Sequence, residues 1–120
     1  FSVDMSPDGK YMVVAGYIDG TATTQALYTS EDYGVTWSLK TYVAAGYTNT
    51  GVTISSDGRT ITASSYAGIT RSYDKGLTWK TVYGVGARDL TGSTDGKKIF
   101  ATSLPALNQG YRYTRSYTLN

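Results

Sequence analysis

Two carboxylates in this chain sit in segments that share the same fixed residues at the same spacing. Asp32 lies in Ser30-Glu31-Asp32-Tyr33-Gly34-Val35-Thr36-Trp37, and Asp74 lies in Ser72-Tyr73-Asp74-Lys75-Gly76-Leu77-Thr78-Trp79. Both segments read S-x-D-x-G-x-T-W, and they start at residues 30 and 72, hence 42 apart. A pair of aspartates could serve as a general acid and base or as metal ligands. Their placement argues against both, because equivalent turns of successive repeats hold the two groups apart. An Asp in such a turn accepts hydrogen bonds from the turn's own N–H groups, Gly permits the tight reversal, and the Ser and Thr hydroxyls tie the two sides together. On this reading Ser30, Asp32, Gly34, Thr36 and Trp37, with Ser72, Asp74, Gly76, Thr78 and Trp79, are structural, and each Trp packs over the hairpin it closes. No set of residues presents itself as catalytic.

The rest of the composition narrows the chemistry further. The 120 residues contain no His and no Cys. The usual general base and commonest metal ligand are therefore missing, disulfides are excluded, and no metal or cofactor pattern is present. Glu31 is the single glutamate, and the net charge is +2 with Lys and Arg scattered among acids, so there is no basic stripe for nucleic acid. No apolar run approaches the ~20 residues of a membrane-spanning helix. Gly (14) and Tyr (12) are abundant and only 17% of residues are charged, a composition that favours pleated sheets joined by tight turns.

The elements that would position the repeated segments can be read from a second motif. Ser6-Pro7-Asp8-Gly9-Lys10, Ser55-Ser56-Asp57-Gly58-Arg59 and Ser93-Thr94-Asp95-Gly96-Lys97 all read S-x-D-G-[KR]. Asp-Gly between alternating apolar runs signals a hairpin. Strands are predicted before these turns (2–5, 51–54, 89–92) and after them (11–17, 60–66, 98–103). Third strands follow at 26–29 and 68–71, and fourth strands at 36–42 and 78–83. One unit is thus four antiparallel strands, and the units recur at about blade length. The predicted fold is an all-β propeller segment: blade 1 at about 1–43, blade 2 at about 50–84, and an incomplete blade 3 at about 87–120. A β-solenoid is the alternative, though its repeats are usually shorter. In the third unit Thr114-Arg115-Ser116-Tyr117 copies Thr70-Arg71-Ser72-Tyr73, but Thr118 stands where Asp74 stands in the second. Closed propellers need roughly 4–8 blades. The expectation is therefore a piece of a longer chain, or a protomer that closes a ring by self-association.

In a four-stranded meander the two motif turns fall at one end of the sheet and the variable loops at the other, where ligands are expected. Those loops, at 17–25, 41–50, 66–68, 83–88 and 104–110, carry Tyr17, Tyr42, Tyr47, Tyr66 and Tyr83, with Asp19, Gln25, Asn49, Arg88 and Asn108. Tyr17, Asp19, Tyr47, Tyr66 and Arg88 form the candidate ligand-binding set. Tyr faces beside amides and short acids suit sugars; equally, these Tyr residues could close the packing between blades. Arg88-Asp89 reads as a local ion pair rather than an anion site.

The S-x-D-x-G-x-T-W segments resemble the Asp-box, or BNR repeat, of sialidase-like and sortilin-like β-propellers, and the resemblance spans essentially the whole chain. It implies a fold marker, not an active site. Sialidases of that family add an arginine triad, a Tyr–Glu nucleophile pair and an Asp acid/base. Here the arginines are Arg59, Arg71, Arg88, Arg112 and Arg115, with no F/Y-R-I-P motif, and Arg71 and Arg115 look like structural equivalents beside the box. The resemblance implies a non-catalytic scaffold or a surface-recognition module for glycans or proteins, extracellular or surface-associated. The alternative is part of a glycoside hydrolase whose catalytic residues lie outside this segment.

Overall fold

A computed structural model describes residues 2–17, 25–43, 49–84, 86–103 and 113–118, with the backbone alone at 42, 43, 49, 50, 103 and 113–118. These residues form antiparallel sheet throughout and contain no helix. Strands β1 (Ser2–Met5), β2 (Met12–Tyr17), β3 (Gln25–Ser30) and β4 (Ser38–Val43) pair in chain order as the first sheet. The second sheet repeats that order with β5 (Asn49–Ile54), β6 (Ile61–Ser65), β7 (Gly68–Ser72) and β8 (Lys80–Tyr83). β9 (Ala87–Gly92), β10 (Lys98–Ser103) and β11 (Tyr113–Thr118) form a third, three-stranded sheet. The fold is thus all-β, two four-stranded blade-like meanders and three strands of another, and the sheets do not close into a ring.

The sheets stack face to face. β5 packs on β1 and β2 of the first sheet, and β9 packs on β5 and β6 of the second. Val13, Ala15 and Leu27 from one face of the first sheet meet Val52, Ile54, Ile61 and Ala63 of the second, with Tyr11 and Trp79 against them. Ile69 from the opposite face of the second sheet meets Ala87, Leu90, Ile99 and Ala101 of the third. Period-2 alternation produces this arrangement, since successive side chains of a strand point to opposite faces and each sheet can meet a neighbour on both. Leu27 and Ile69 stand three residues before Ser30 and Ser72, so the two interfaces use equivalent positions of the repeat.

Polar contacts between innermost strands reinforce the stack. The Asp4 carboxylate accepts from the Thr53 hydroxyl (2.8 Å) and the Ile54 N–H (2.9 Å), and the Ser2 hydroxyl accepts from the Val52 N–H (3.1 Å). Motif turns touch across the same boundaries. A Cβ on Gly58 would lie 2.3 Å from the Tyr11 ring, and one on Gly96 would lie 2.9 Å from Thr60 Cβ. Tyr11 and Thr60 each stand five residues after the first Ser of their turn.

The third sheet departs from the expected equivalence. Met12 and Ile61, three residues past the turn glycine, pair with Ser30 and Ser72, but the corresponding Ile99 pairs with Tyr117, and Ser116 pairs with Phe100. Arg115 accordingly pairs with Ala101, one place away from the position matching the Arg71–Thr62 pair. The motif copy at Thr114–Tyr117 is offset by one residue, which exchanges the faces of a strand. In the first two sheets the box Asp bonds the Ser that ends the third strand; with Thr118 in that place, no carboxylate holds the register.

Candidate functional site

The two S-x-D-x-G-x-T-W turns are the best-defined polar assemblies among the described residues, and they are near copies. Ser30 Oγ donates to Asp32 Oδ1 (2.8 Å) and accepts from the Gly34 N–H (2.8 Å). Asp32 then receives the Thr36 N–H on Oδ1 (2.8 Å) and the Thr36 hydroxyl on Oδ2 (2.5 Å). The Trp37 indole N–H closes the loop on Gly34 O (3.0 Å). Ser72, Asp74, Gly76, Thr78 and Trp79 reproduce every one of these bonds within 0.1 Å. Such repetition follows from the sequence: each of the five fixed residues supplies at least one donor or acceptor that the turn itself consumes.

The S-x-D-G-[KR] turns are equally self-contained. Ser6, Ser55 and Ser93 donate to Asp8, Asp57 and Asp95, each of which also accepts the N–H of the Lys or Arg two residues on. The two motifs meet at one end of each of the first two sheets. The Tyr33 N–H reaches Lys10 O (3.2 Å), and the Lys75 N–H reaches Arg59 O (2.9 Å). Sequence reasoning missed the cause of this contact: Tyr33 and Lys75 adopt left-handed backbone with φ of 61°, which no residue-type signal at those positions announces. Lys75 Nζ also lies 3.2 Å from Glu31 Oε2, which joins the two boxes across the sheet boundary.

These bonds hold the carboxylates ionised. Asp74 falls from its ordinary 3.8 to about 2, first through the Thr78 hydroxyl, then the Thr78 N–H and the Ser72 hydroxyl. Asp32 is lowered in the same way, led by Thr36, while Asp8, Asp57 and Asp95 are lowered chiefly by Ser6, Ser55 and Ser93. Because folding depresses each pKa, the stabilisation is fully present above the unfolded value and is lost as pH falls through the folded one. The thermal midpoint is therefore expected to be level above about pH 5 and to drop between about pH 4 and 2. Asp74→Asn should reduce that drop and lower the midpoint at neutral pH, because an amide nitrogen cannot accept from Thr78. Melting curves across this range check both.

The other end of the sheets holds fewer of the expected residues. Asp19, Tyr47 and Asn108 lie outside the described residues. Tyr66 occupies the β6–β7 turn, 47% exposed, with its backbone against Gly86, where a Cβ would lie 2.2 Å from Tyr66 O. Tyr17 ends β2 half-buried. Arg88 is not in a loop but in β9, exposed, and Gln25 is buried in β3. No Arg88–Asp89 ion pair forms: among the described residues the only salt bridge is Lys75–Glu31, and Asp89 Oδ1 instead accepts the Leu90 N–H (2.9 Å). Adjacent residues of a strand point to opposite faces, which separates the Arg and Asp side chains.

Trp37 and Trp79, expected to be alike, differ. Trp79 is half-buried against the core between the first two sheets, whereas Trp37 is 44% exposed. Arg71 is the largest fully buried side chain, 1% exposed. Its Nη2 donates to Gly96 O of the third sheet's turn, and its guanidinium lies 5.5 Å from the Tyr73 ring centroid. It therefore bridges two sheets, a structural role consistent with its place beside the box. Comparison of the sequence with protein-family models and with curated proteins finds no match, so the function of this site must be argued from its geometry.

Proposed function

We propose that the chain is a non-catalytic segment of an Asp-box β-propeller, a scaffold whose variable-loop end recognises a glycan or protein surface. One observation carries this reading: every described carboxylate is engaged in a bond that holds the fold. Asp8, Asp32, Asp57, Asp74 and Asp95 are consumed by their own turns, Asp4 by β5, Asp89 by the backbone and Glu31 by Lys75. A glycosidase needs two carboxylates that face a shared cleft and are free to exchange protons with substrate. The described acids are committed elsewhere.

Recognition then falls to the loop end, where Tyr66 offers an exposed ring with a polar tip, a surface suited to sugar stacking or a protein contact. The test is a glycan-array and protein-partner screen of the chain with Tyr66→Ala and Asp74→Ala beside it. Tyr66→Ala should weaken binding and leave the melting curve unchanged; Asp74→Ala should lower the melt without altering the binding surface. An Asp74→Ala chain that stays folded and selectively loses binding would overturn the assignment. Absence of any binding would leave the scaffold role alone.

A further inference from the structure

Between the second and third sheets the chain buries a cation with no described carboxylate beside it. Arg71 is 1% exposed, and a guanidinium is not deprotonated in proteins. Its Nη2 donates to Gly96 O, and its central carbon lies 5.5 Å from the Tyr73 ring centroid. Neither neighbour carries a net charge. Nε and Nη1 have no hydrogen-bond partner. Among the described residues the only salt bridge joins Lys75 to Glu31. Asp57, Asp74 and Asp95, the acids in the motif turns of these two sheets, are bound to Ser55, Ser72 and Ser93 instead.

A second orphaned group lies on the same face. Thr62 on β6 is the register partner of Arg71 on β7, and directly opposed residues of an antiparallel pair project to one side with Cβ atoms about 5 Å apart. Thr62 is 0% exposed, and its hydroxyl has no hydrogen-bond partner either. The third sheet covers this face, since Arg71 reaches Gly96 there. The repeat shows that the polarity is particular to this boundary. Counted from the motif residues, Thr62 and Arg71 correspond to Val13 and Thr29 of the first sheet. Val13 packs in the apolar core between the first two sheets. The second boundary thus carries a hydroxyl in place of the Val13 side chain and a guanidinium in place of Thr29.

We infer that a small inorganic anion of halide size is held between these sheets, accepting from Arg71 Nε and Nη1 and from the Thr62 hydroxyl. A buried charge is costly unless it is paired, and a bridging water would satisfy the donors without cancelling the charge. All three orphaned groups can donate, which an anion accepts without needing a donor of its own. Burial of both side chains favours a monatomic ion over a polyatomic acid. Bound there, the ion ties the third sheet to the second. The site lies within the stack of sheets, so what the loop end binds does not enter the inference.

Thermal melts at fixed ionic strength, with sodium chloride replacing sodium gluconate, test the assignment in the parent, Arg71→Met and Thr62→Val. The parent midpoint should rise by a few degrees as chloride replaces gluconate, because a ligand of the folded state stabilises it by mass action. Thr62→Val, which installs the residue found at the equivalent place in the first sheet, should fold and show a smaller rise. Arg71→Met should show none. Crystals of the parent grown in sodium bromide give a second reading that depends on no variant folding: an anomalous peak in contact with Arg71 Nε and Nη1 is expected. A parent midpoint indifferent to chloride, or a response that Arg71→Met retains in full, would overturn the site. So would a bromide-grown crystal with water or a carboxylate of the chain at the guanidinium and no anomalous signal there.

Discussion

Gly58→Ala is expected to lower the unfolding free energy by about 2–5 kcal/mol, whereas Gly9→Ala should cost only about 1–2 kcal/mol. The two glycines occupy the same place in the same turn, with φ of 74° and 75°. A side chain at either one suffers the left-handed backbone penalty that non-glycine residues carry, about 1–2 kcal/mol. Only at Gly58 does the new methyl meet a neighbour. Its Cβ would lie 2.3 Å from Cδ1 and 2.6 Å from Cγ of Tyr11, while nothing lies within 4 Å of a Cβ on Gly9. The Tyr11 ring cannot move aside at its root without leaving the core it packs against, and such overpacking adds about 1–3 kcal/mol. Urea unfolding of the two variants beside the parent measures the contrast.

Trp79→Ala should destabilise the chain by about 2–4 kcal/mol and Trp37→Ala by about 1 kcal/mol. Both variants lose the same indole hydrogen bond, to Gly76 O or Gly34 O at 3.0 Å, so that contribution cancels in the comparison. What remains is packing. Trp79 lies against the Val13, Leu27, Val52 and Ile61 core, and removing it opens a cavity there; the Trp37 ring borders an open groove. Thermal denaturation of the two variants beside the parent measures the contrast.

The contrast between these tryptophans shows where sequence reasoning succeeds and where it stops. Turn chemistry is local. Asp-Gly and the S-x-D-x-G-x-T-W pattern encode hydrogen bonds spanning at most five residues, so the hairpins, the strand order and the bond partners of Asp32 and Asp74 were legible. Burial is not local. Alternation along Ser2–Met5 shows that the strand has two faces but not which one meets a neighbour, and the polar face proved to be the covered one. Strand boundaries moved by at most two residues: the fourth strands begin at Ser38 and Lys80 because Thr36 and Thr78 are still bound to the Asp32 and Asp74 carboxylates. Register between distant segments was illegible too. The match of Thr114–Tyr117 to Thr70–Tyr73 promised equivalence, yet Ser116 faces Phe100, because similarity of residues does not fix pairing once the anchoring Asp is gone. Left-handed Tyr33 and Lys75 escaped notice for a related reason: their conformation is imposed by the bonds around them, not by their own side chains. Arg71 was read as structural from its place beside the repeated turn, and its bridge to Gly96 became visible only once the third sheet was in place.

The stacking of equivalent sheets through equivalent residues underlies the fold. A double-mutant cycle on Gly58 and Tyr11 tests it most directly, using urea unfolding of the parent, Gly58→Ala, Tyr11→Ala and the double variant. If the motif turn of one sheet is packed under the tyrosine of its neighbour, Gly58→Ala in the Tyr11→Ala background should cost no more than Gly9→Ala in the parent. The two effects would then couple by about 1 kcal/mol or more. Additive effects, with Gly58→Ala equally costly whether or not the tyrosine ring is present, would contradict the stacked arrangement.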